Sequence, residues 1–276
     1  MIVFPNAKIN LGLYVIAKRA NGYHNLETVF VPIPKLCDVL EVINAPEGAK
    51  EDCFSQTGII IDGSPGDNLC LKALRLMREY CTIPLLNIIL HKVIPTGAGL
   101  GGGSSDAAFM LKLLNEGFNA GLNTEELENI ASEIGADCAF FIRNKATFGE
   151  GIGNKFSSVN INLLNLWIEL VIPPIHVSTA FAYRNITPQQ PASDLRQSVQ
   201  YSIKMWRHKI LNDFEKPVFE KYPEIEKIKD RFFKNGALYA SMSGSGSAVF
   251  GLFCKKPEIS WDENYFVFSG KLDVEK

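Results

Sequence analysis

The first part of the chain alternates apolar with polar or small side chains. The pattern is clearest over Ile9-Asn10-Leu11-Gly12-Leu13-Tyr14-Val15, where a period of two predicts a strand. Short β-branched stretches at residues 29–31 and 39–42 extend this sheet-rich reading. The period then changes. After the turn cluster Ser64-Pro65-Gly66-Asp67, the positions Leu69, Leu71, Ala73, Leu74, Leu76 and Met77 recur at helical spacing and predict a helix over about residues 68–80. Residues 86–90 read as a strand, 95–103 as a loop, and 104 to about 120 as a helix with Ala107, Ala108, Met110, Leu111 and Leu114 turned inward. A further helix follows, with Asn123 as its N-cap, Leu127, Ile130, Ala131 and Ile134 on its apolar face, and Gly135 at its end. Downstream, residues 167–172 predict a strand, and the polar residues 187–194 a connection into more helix. Residues 238–242 and 248–254 predict strands flanking a second loop of glycine and serine. The pattern shows neither repeats nor low-complexity tracts, so the predicted class is α+β, with two packed lobes over residues 1–155 and 156–276.

Composition narrows the picture. A hydrophobic content of 46% over 276 residues supports a buried core, and 28 basic against 30 acidic residues leave a charge of −2 with no long run of one sign. A nucleic acid partner is therefore not expected. The six cysteines contain no Cys-x-x-Cys pair and call for no disulfide framework, and the four histidines lack zinc-ligand spacing. No apolar run approaches the roughly 18 residues of a membrane span. Met1-Ile2-Val3-Phe4-Pro5 has neither the basic region nor the apolar core of a signal peptide, so a cytoplasmic location is expected.

The chemistry concentrates at Gly97-Ala98-Gly99-Leu100-Gly101-Gly102-Gly103-Ser104-Ser105, where five glycines in seven residues run directly into a predicted helix. Absent side chains let a ligand approach the backbone, and the free amides and positive dipole end of the helix favour a phosphate. The serine hydroxyls offer further hydrogen bonds. A Walker loop is excluded because no lysine precedes Ser104. Gly97, Gly99 and Gly102 satisfy Gly-x-Gly-x-x-Gly, but a dinucleotide fold needs a second strand ending in an acidic residue about 20 residues on. Here the next predicted element is a helix. A phosphate cradle is the reading that remains, with a merely flexible turn as its bland alternative.

Two charged residues stand in apolar surroundings. Asp137 follows the helix terminator Gly135 and precedes Ala139-Phe140-Phe141, where a lone carboxylate is costly to bury. It reads either as a catalytic base or as a helix-end aspartate. Lys8 lies three residues after Pro5 in an apolar stretch, where an ammonium requires a carboxylate or phosphate partner.

Pro95-Thr96-Gly97-Ala98-Gly99-Leu100-Gly101-Gly102-Gly103-Ser104-Ser105 resembles the phosphate-binding motif of the GHMP kinases. Pro5-Asn6-Ala7-Lys8-Ile9-Asn10-Leu11 and Ser243-Gly244-Ser245-Gly246-Ser247 stand where that family has its first and third motifs, so the resemblance spans nearly the whole chain. It implies a two-lobed fold of mixed sheets and packed helices, ATP as phosphoryl donor, magnesium with no ligand residue assigned, and a small-molecule acceptor. Lys18-Arg19-Ala20-Asn21-Gly22-Tyr23-His24-Asn25-Leu26, Gly135-Ala136-Asp137-Cys138-Ala139-Phe140-Phe141 and Asn212-Asp213-Phe214-Glu215 resemble the branch whose acceptor carries cytidine diphosphate. Homoserine and mevalonate derivatives are the competing acceptors within the family, and Gly22-Tyr23-His24 separates them from it. Asn6 and Ala139 depart from the family pattern without removing a functional group.

The resemblance also implies roles. Asp137 accepts the acceptor's proton, while Lys8 keeps Asp137 ionised and stabilises the transferring phosphoryl group. Pro95, Gly97, Ala98, Gly99, Leu100, Gly101, Gly102, Gly103, Ser104 and Ser105 hold the phosphates, and Asn68, Leu69 and Lys92 contact adenosine. Asn10, Tyr23, His24, Thr179 and Tyr183 bind the acceptor. Tyr23 is to stack on the cytosine, His24 to hydrogen-bond its edge, and Tyr183, or alternatively Phe181, to close its other face.

Overall fold

The computed structural model describes residues 1–60 and 65–272, so Ser64 of the expected turn lies outside the described residues. The chain forms two compact units, and neither is one continuous stretch. The first contains Met1–Ala7, Leu36–Thr96 and Gly101–Asn144, and the second Lys8–Lys35, Gly97–Leu100 and Lys145–Lys276. A single cut at residue 155 does not yield these units, because residues 8–35 and 97–100 count with the second.

The first unit is built on a four-stranded sheet, with Ile2–Val3, Val39–Asn44, Leu86–Lys92 and Cys53–Gly58 in that order and only the last junction parallel. Leu40 lies opposite Leu90 and Val42 opposite Ile88, and all four are buried, which fixes the register because a one-residue slip would expose them. Its helices are Leu69–Met77, Gly102–Gly117, Thr124–Ile134 and Cys138–Arg143. Asn68 caps the first by accepting from the Cys70 amide at 2.9 Å. Asn123 and Glu126 form a capping box on the third, with Gly135 as its C-cap. The second begins two residues earlier than its periodicity suggests, because Gly101 at φ +70° turns the loop directly into the helix.

The second unit carries two further four-stranded sheets. One orders Asn6–Lys18, His24–Cys37, Thr147–Gly151 and Lys155–Ser158, and the other Tyr239–Met242, Val249–Phe253, Leu166–Ile172 and Phe266–Leu272. Leu13, Val15, Phe214, Val218, Phe232, Met242 and Val249 pack in one of its cores. The strand Asn6–Lys18 extends beyond the alternation at residues 9–15, and its first ten residues are all buried. Polar residues on that strand are therefore interior groups that need partners.

Candidate active site

Lys8, in the second unit, is such an interior group. Its Nζ donates to Asn10 Oδ1 at 2.6 Å and to the Gly99 carbonyl at 3.0 Å, and lies 5.5 Å from the Phe30 ring centroid. Asn10 Nδ2 donates to Thr28 Oγ1 at 3.1 Å, and Thr28 in turn to the Gly12 carbonyl at 2.6 Å. The Asn10 amide donates to Ser243 Oγ at 3.2 Å, and Ser243 Oγ donates to the Gly99 carbonyl at 2.8 Å. Lys8, Asn10, Gly99 and Ser243 thus form one network. Asn10 is buried with its amide group engaged on both sides, so its position suits orientation of the Lys8 ammonium rather than the acceptor contact expected of it.

The second glycine and serine loop is held against the first. The Ala248 amide donates to the Ala98 carbonyl at 3.1 Å, and the Ser243 amide to the Ala248 carbonyl at 2.8 Å. Asn212 is buried and donates to the Met242 and Gly244 carbonyls, both at 2.8 Å, while accepting from the Phe214 amide at 2.9 Å. Glu215 accepts from Ser241 Oγ at 3.0 Å and from the Met242 amide at 2.9 Å, and pairs with Lys229. On sequence alone Asn212-Asp213-Phe214-Glu215 carries only a resemblance, whereas in the fold Asn212 and Glu215 brace the Ser243 loop.

An aromatic group occupies the same unit. The His24 and Tyr183 rings stack with centroids 4.9 Å apart at 27°, and Tyr183 stands edge-on to Phe214 at 4.8 Å. Phe181 instead meets Tyr222 edge-on, with the Lys221 ammonium 4.0 Å from its centroid. Tyr183, not Phe181, is the ring beside His24. Burial, and then the nearby Lys18, lower the His24 pKa, so its imidazole is neutral near pH 7 and presents one donor and one acceptor nitrogen. Tyr23 is 60% exposed, and Thr179 Oγ1 lies 3.1 Å from Ser245 Oγ. These are surface groups with free area for a ligand's base.

The first unit holds the helix end of the cradle. Ser104 is partly exposed. Ser105 is buried, its amide donates to the Gly101 carbonyl at 2.9 Å, and its hydroxyl has no partner among the described residues. The hydroxyl available at the surface is that of Ser104. Leu69, half-buried beside the capping Asn68, reaches within 3.7 Å of where a Cβ on Gly103 would stand. Lys92 departs from its expected role. Inward residues alternate along its strand at Leu86, Ile88 and Leu90, and Lys92 continues the series. Its ammonium is fully buried, paired with Asp106 Oδ2 at 2.7 Å and with Asp38, so its side chain offers no surface for adenosine.

Asp137 is half-buried at the start of Cys138–Arg143, where its side chain makes no capping bond to that helix. The next residue, Cys138, is buried, and burial raises its thiol to about 11, with Asp137 adding to the rise and a Ser104 hydrogen bond opposing it. The thiol is protonated near neutrality and is not a nucleophile. Asn6, the departure in the first motif, exchanges amide hydrogen bonds with Asn144 at 3.2 and 2.6 Å and so fastens the end of the helix that follows Asp137.

Family models describe two parts of the chain: residues 68–145 match the GHMP kinases N terminal domain and residues 199–262 the GHMP kinases C terminal domain. The chain is 49% identical to a Bacteroides thetaiotaomicron protein named 4-diphosphocytidyl-2-C-methyl-D-erythritol kinase, over 99% of this chain and 100% of that one. A Bacteroides fragilis protein of the same name is 52% identical over 94% of each chain. Among solved structures, a 4-(cytidine 5'-diphospho)-2C-methyl-D-erythritol kinase superposes with a TM-score of 0.77 at 31% identity, covering 91% of this chain and 90% of the other. A homoserine kinase from Cytophaga hutchinsonii, at a TM-score of 0.68 and 16% identity over 98% and 96% of the two chains, shares the fold.

Proposed function

We infer from the premise that this chain belongs to the GHMP kinase family that it transfers the γ-phosphoryl group of ATP to the 2-hydroxyl of 4-diphosphocytidyl-2-C-methyl-D-erythritol, giving the 2-phosphate and ADP in the non-mevalonate route to isoprenoid precursors. The observation that carries this is the 49% identity with a kinase of that name over essentially both whole chains.

Phosphoryl transfer asks for held phosphates, compensated charge and an oriented hydroxyl, with no covalent step by the protein. The amides at the start of Gly102–Gly117 and the Ser104 hydroxyl supply the first. Asp137 is the proposed general base, a role typically worth about 10²–10⁴-fold. Lys8, oriented by Asn10, is the proposed cation for the transferring group. Tyr23, His24, Thr179 and Tyr183 are the proposed acceptor contacts, a flat aromatic surface with polar groups suited to a cytosine. Magnesium fits as an ion carried largely by the nucleotide. Among the described residues no three His, Cys, Asp or Glu side chains form a cage, while the Ser104 hydroxyl and Asp137 carboxylate are hard oxygen donors of the kind it takes beside phosphates and water. When bound it neutralises phosphate charge. No described helix is long and apolar enough to cross a membrane, and a cytoplasmic location suits a reaction that consumes ATP.

The test is ADP release with the cytidine diphosphate acceptor, homoserine and mevalonate assayed side by side. Turnover on the first is expected, and turnover confined to either of the others overturns the assignment. Asp137→Asn, if folded, should lose at least about 100-fold in kcat. Near-normal kcat would remove Asp137 as the base.

A further inference from the structure

The strands Asn6–Lys18 and His24–Cys37 are neighbours in one sheet of the second unit. Side chains two apart on a strand share a face. Thr28 and Phe30 on the one strand therefore meet Asn10 and Lys8 on the other as two pairs. Thr28 Oγ1 lies 3.1 Å from Asn10 Nδ2, and the Phe30 ring centroid 5.5 Å from Lys8 Nζ. Thr28, Asn10 and Lys8 are 1%, 3% and 3% exposed, so their polar atoms need partners in the interior.

The protons in this group run in one direction. The Gly12 carbonyl can only accept, and it takes the Thr28 hydroxyl proton at 2.6 Å. With its single proton committed there, Thr28 Oγ1 can only accept from Asn10, so the edge of the Asn10 amide that faces it is Nδ2. Oδ1 then faces Lys8, which donates to it at 2.6 Å. A flipped amide would set a donor against the ammonium and an acceptor against the Thr28 oxygen. The start of the chain is fixed by the backbone. Gly12 has φ +71°, and a Cβ there would stand 2.8 Å from Ile210 Cγ2, so the conformation that sends its carbonyl to Thr28 is reserved to glycine.

We propose that Thr28 is a positioning residue for phosphoryl transfer: its hydroxyl, directed by the Gly12 carbonyl, fixes the Asn10 amide and through it the ammonium of Lys8. The inference rests on the reading of Lys8 as the cation for the transferring group. Without the hydroxyl, the buried Asn10 Nδ2 lacks its acceptor, and the amide turns away from Lys8 to find another. Lys8 keeps the Gly99 carbonyl but loses Asn10. An ammonium loosened in this way still attracts phosphate in the ground state, yet it no longer holds the geometry that the transition state needs. The loss therefore falls on kcat.

The experiment is a double-variant cycle read by steady-state ADP release with the cytidine diphosphate acceptor. Thr28→Val keeps the shape and removes the hydroxyl, whereas Thr28→Ser keeps the hydroxyl. Thr28→Val should lower kcat about 10- to 100-fold while the KM for ATP and for the acceptor each change less than about threefold. Thr28→Ser should return kcat to within about threefold of wild type. In the Asn10→Ala background, Thr28→Val should lower kcat no further, because both substitutions act through the same amide. A merely structural threonine would lower stability without separating kcat from KM, and its effect would multiply with that of Asn10→Ala. Neutron diffraction from wild-type crystals locates the Thr28 deuterium and depends on no variant folding; it should point to the Gly12 carbonyl, with deuterium on Asn10 Nδ2 pointing to Thr28. The inference alone is overturned by a Thr28→Val kcat within about threefold of wild type, by an effect confined to the acceptor KM, or by no recovery in Thr28→Ser. Losses that multiply in the double variant, or a Thr28 deuterium aimed at Asn10, overturn it equally. Absence of turnover by wild type overturns the functional reading and the inference with it.

Discussion

Replacing Gly99 by alanine tests the network that orients Lys8. Gly99 sits at φ +83°, and a Cβ there would lie 2.1 Å from the Ser243 carbonyl oxygen and 2.9 Å from its carbon. A carbon and an oxygen normally approach to about 3.3 Å, so one backbone must yield by roughly 1 Å. Ser243 cannot move alone, because its carbonyl accepts from the Gly246 amide at 3.0 Å and its hydroxyl bridges Asn10 and Gly99. The left-handed backbone costs an alanine about 1–2 kcal/mol, and each loosened hydrogen bond about 0.5–1.5 kcal/mol. With the bonds from Gly246, Ser243 and Lys8 at stake, the destabilisation is on the order of 4 kcal/mol if none reforms, and less as the loop relaxes. The rate is the sharper readout. The Gly99 carbonyl holds the Lys8 ammonium at 3.0 Å, and a misplacement of about 1 Å costs about 10²-fold. Steady-state ADP release should show kcat/KM reduced by about that factor, with far-UV circular dichroism unchanged. Gly236→Ala is the control, since Gly236 has φ +88° and nothing within 4 Å of its would-be Cβ, so it carries the backbone cost without the collision. Gly99→Ala within about threefold of Gly236→Ala in kcat/KM would refute the reasoning.

Tyr183→Ala should raise the acceptor's KM about tenfold or more, since base–aromatic stacking is worth about 1–3 kcal/mol, while Phe181→Ala should change it little. Equal effects would remove the stacking assignment. Asn212→Ala leaves two buried carbonyls without their donor and should lower stability by about 2–4 kcal/mol in a denaturant titration, with the loss of activity following from the loosened Ser243 loop. Wild-type stability would show that water replaces the amide without cost. Gly103→Ala meets no atom closer than Leu69 at 3.7 Å, so it should melt like wild type and yet raise the KM for ATP; an unchanged KM would place the phosphates elsewhere.

Much of the scaffold was legible because its signals are local. Asn68 and Asn123 announce helices that begin at Leu69 and Thr124, and the spacing of Leu127, Ile130, Ala131 and Ile134 gives the buried face of the second. Cys138–Arg143 is six residues long, too short for a period to register, and the strand Phe266–Leu272 lies at an edge with mixed burial. The strand Asn6–Lys18 is longer than its alternation shows, because burial on both faces erases the pattern by which a half-buried strand is recognised. Lys92 shows the converse. Its place in the series Leu86, Ile88, Leu90 was available from the period of two, and only its charge argued for the surface. Asp106, four residues before Met110 on the inward face of its helix, carried the same signal. A charged residue in phase with an apolar series implies a buried partner, and here the two in-phase charges are partners of each other.

The candidate site was legible differently, through a glycine-rich stretch whose glycines do not all serve a ligand. At Gly99 the space of the missing side chain is filled by the Ser243 carbonyl, and at Gly102 by Ile94 and the Lys92 ammonium. Gly97 and Gly103 meet only ordinary contacts, with His176 at 3.5 Å and Leu69 at 3.7 Å. Two of the five glycines, Gly99 and Gly102, are therefore accounted for by how closely the protein packs against its own loop, while Gly97, Gly99 and Gly101 hold positive φ. That packing involves Ser243, 144 residues away from Gly99 along the chain, and no local pattern can announce a neighbour at that separation. A family motif records such a pair as two separate conserved-looking strings; the fold shows that one string explains the other.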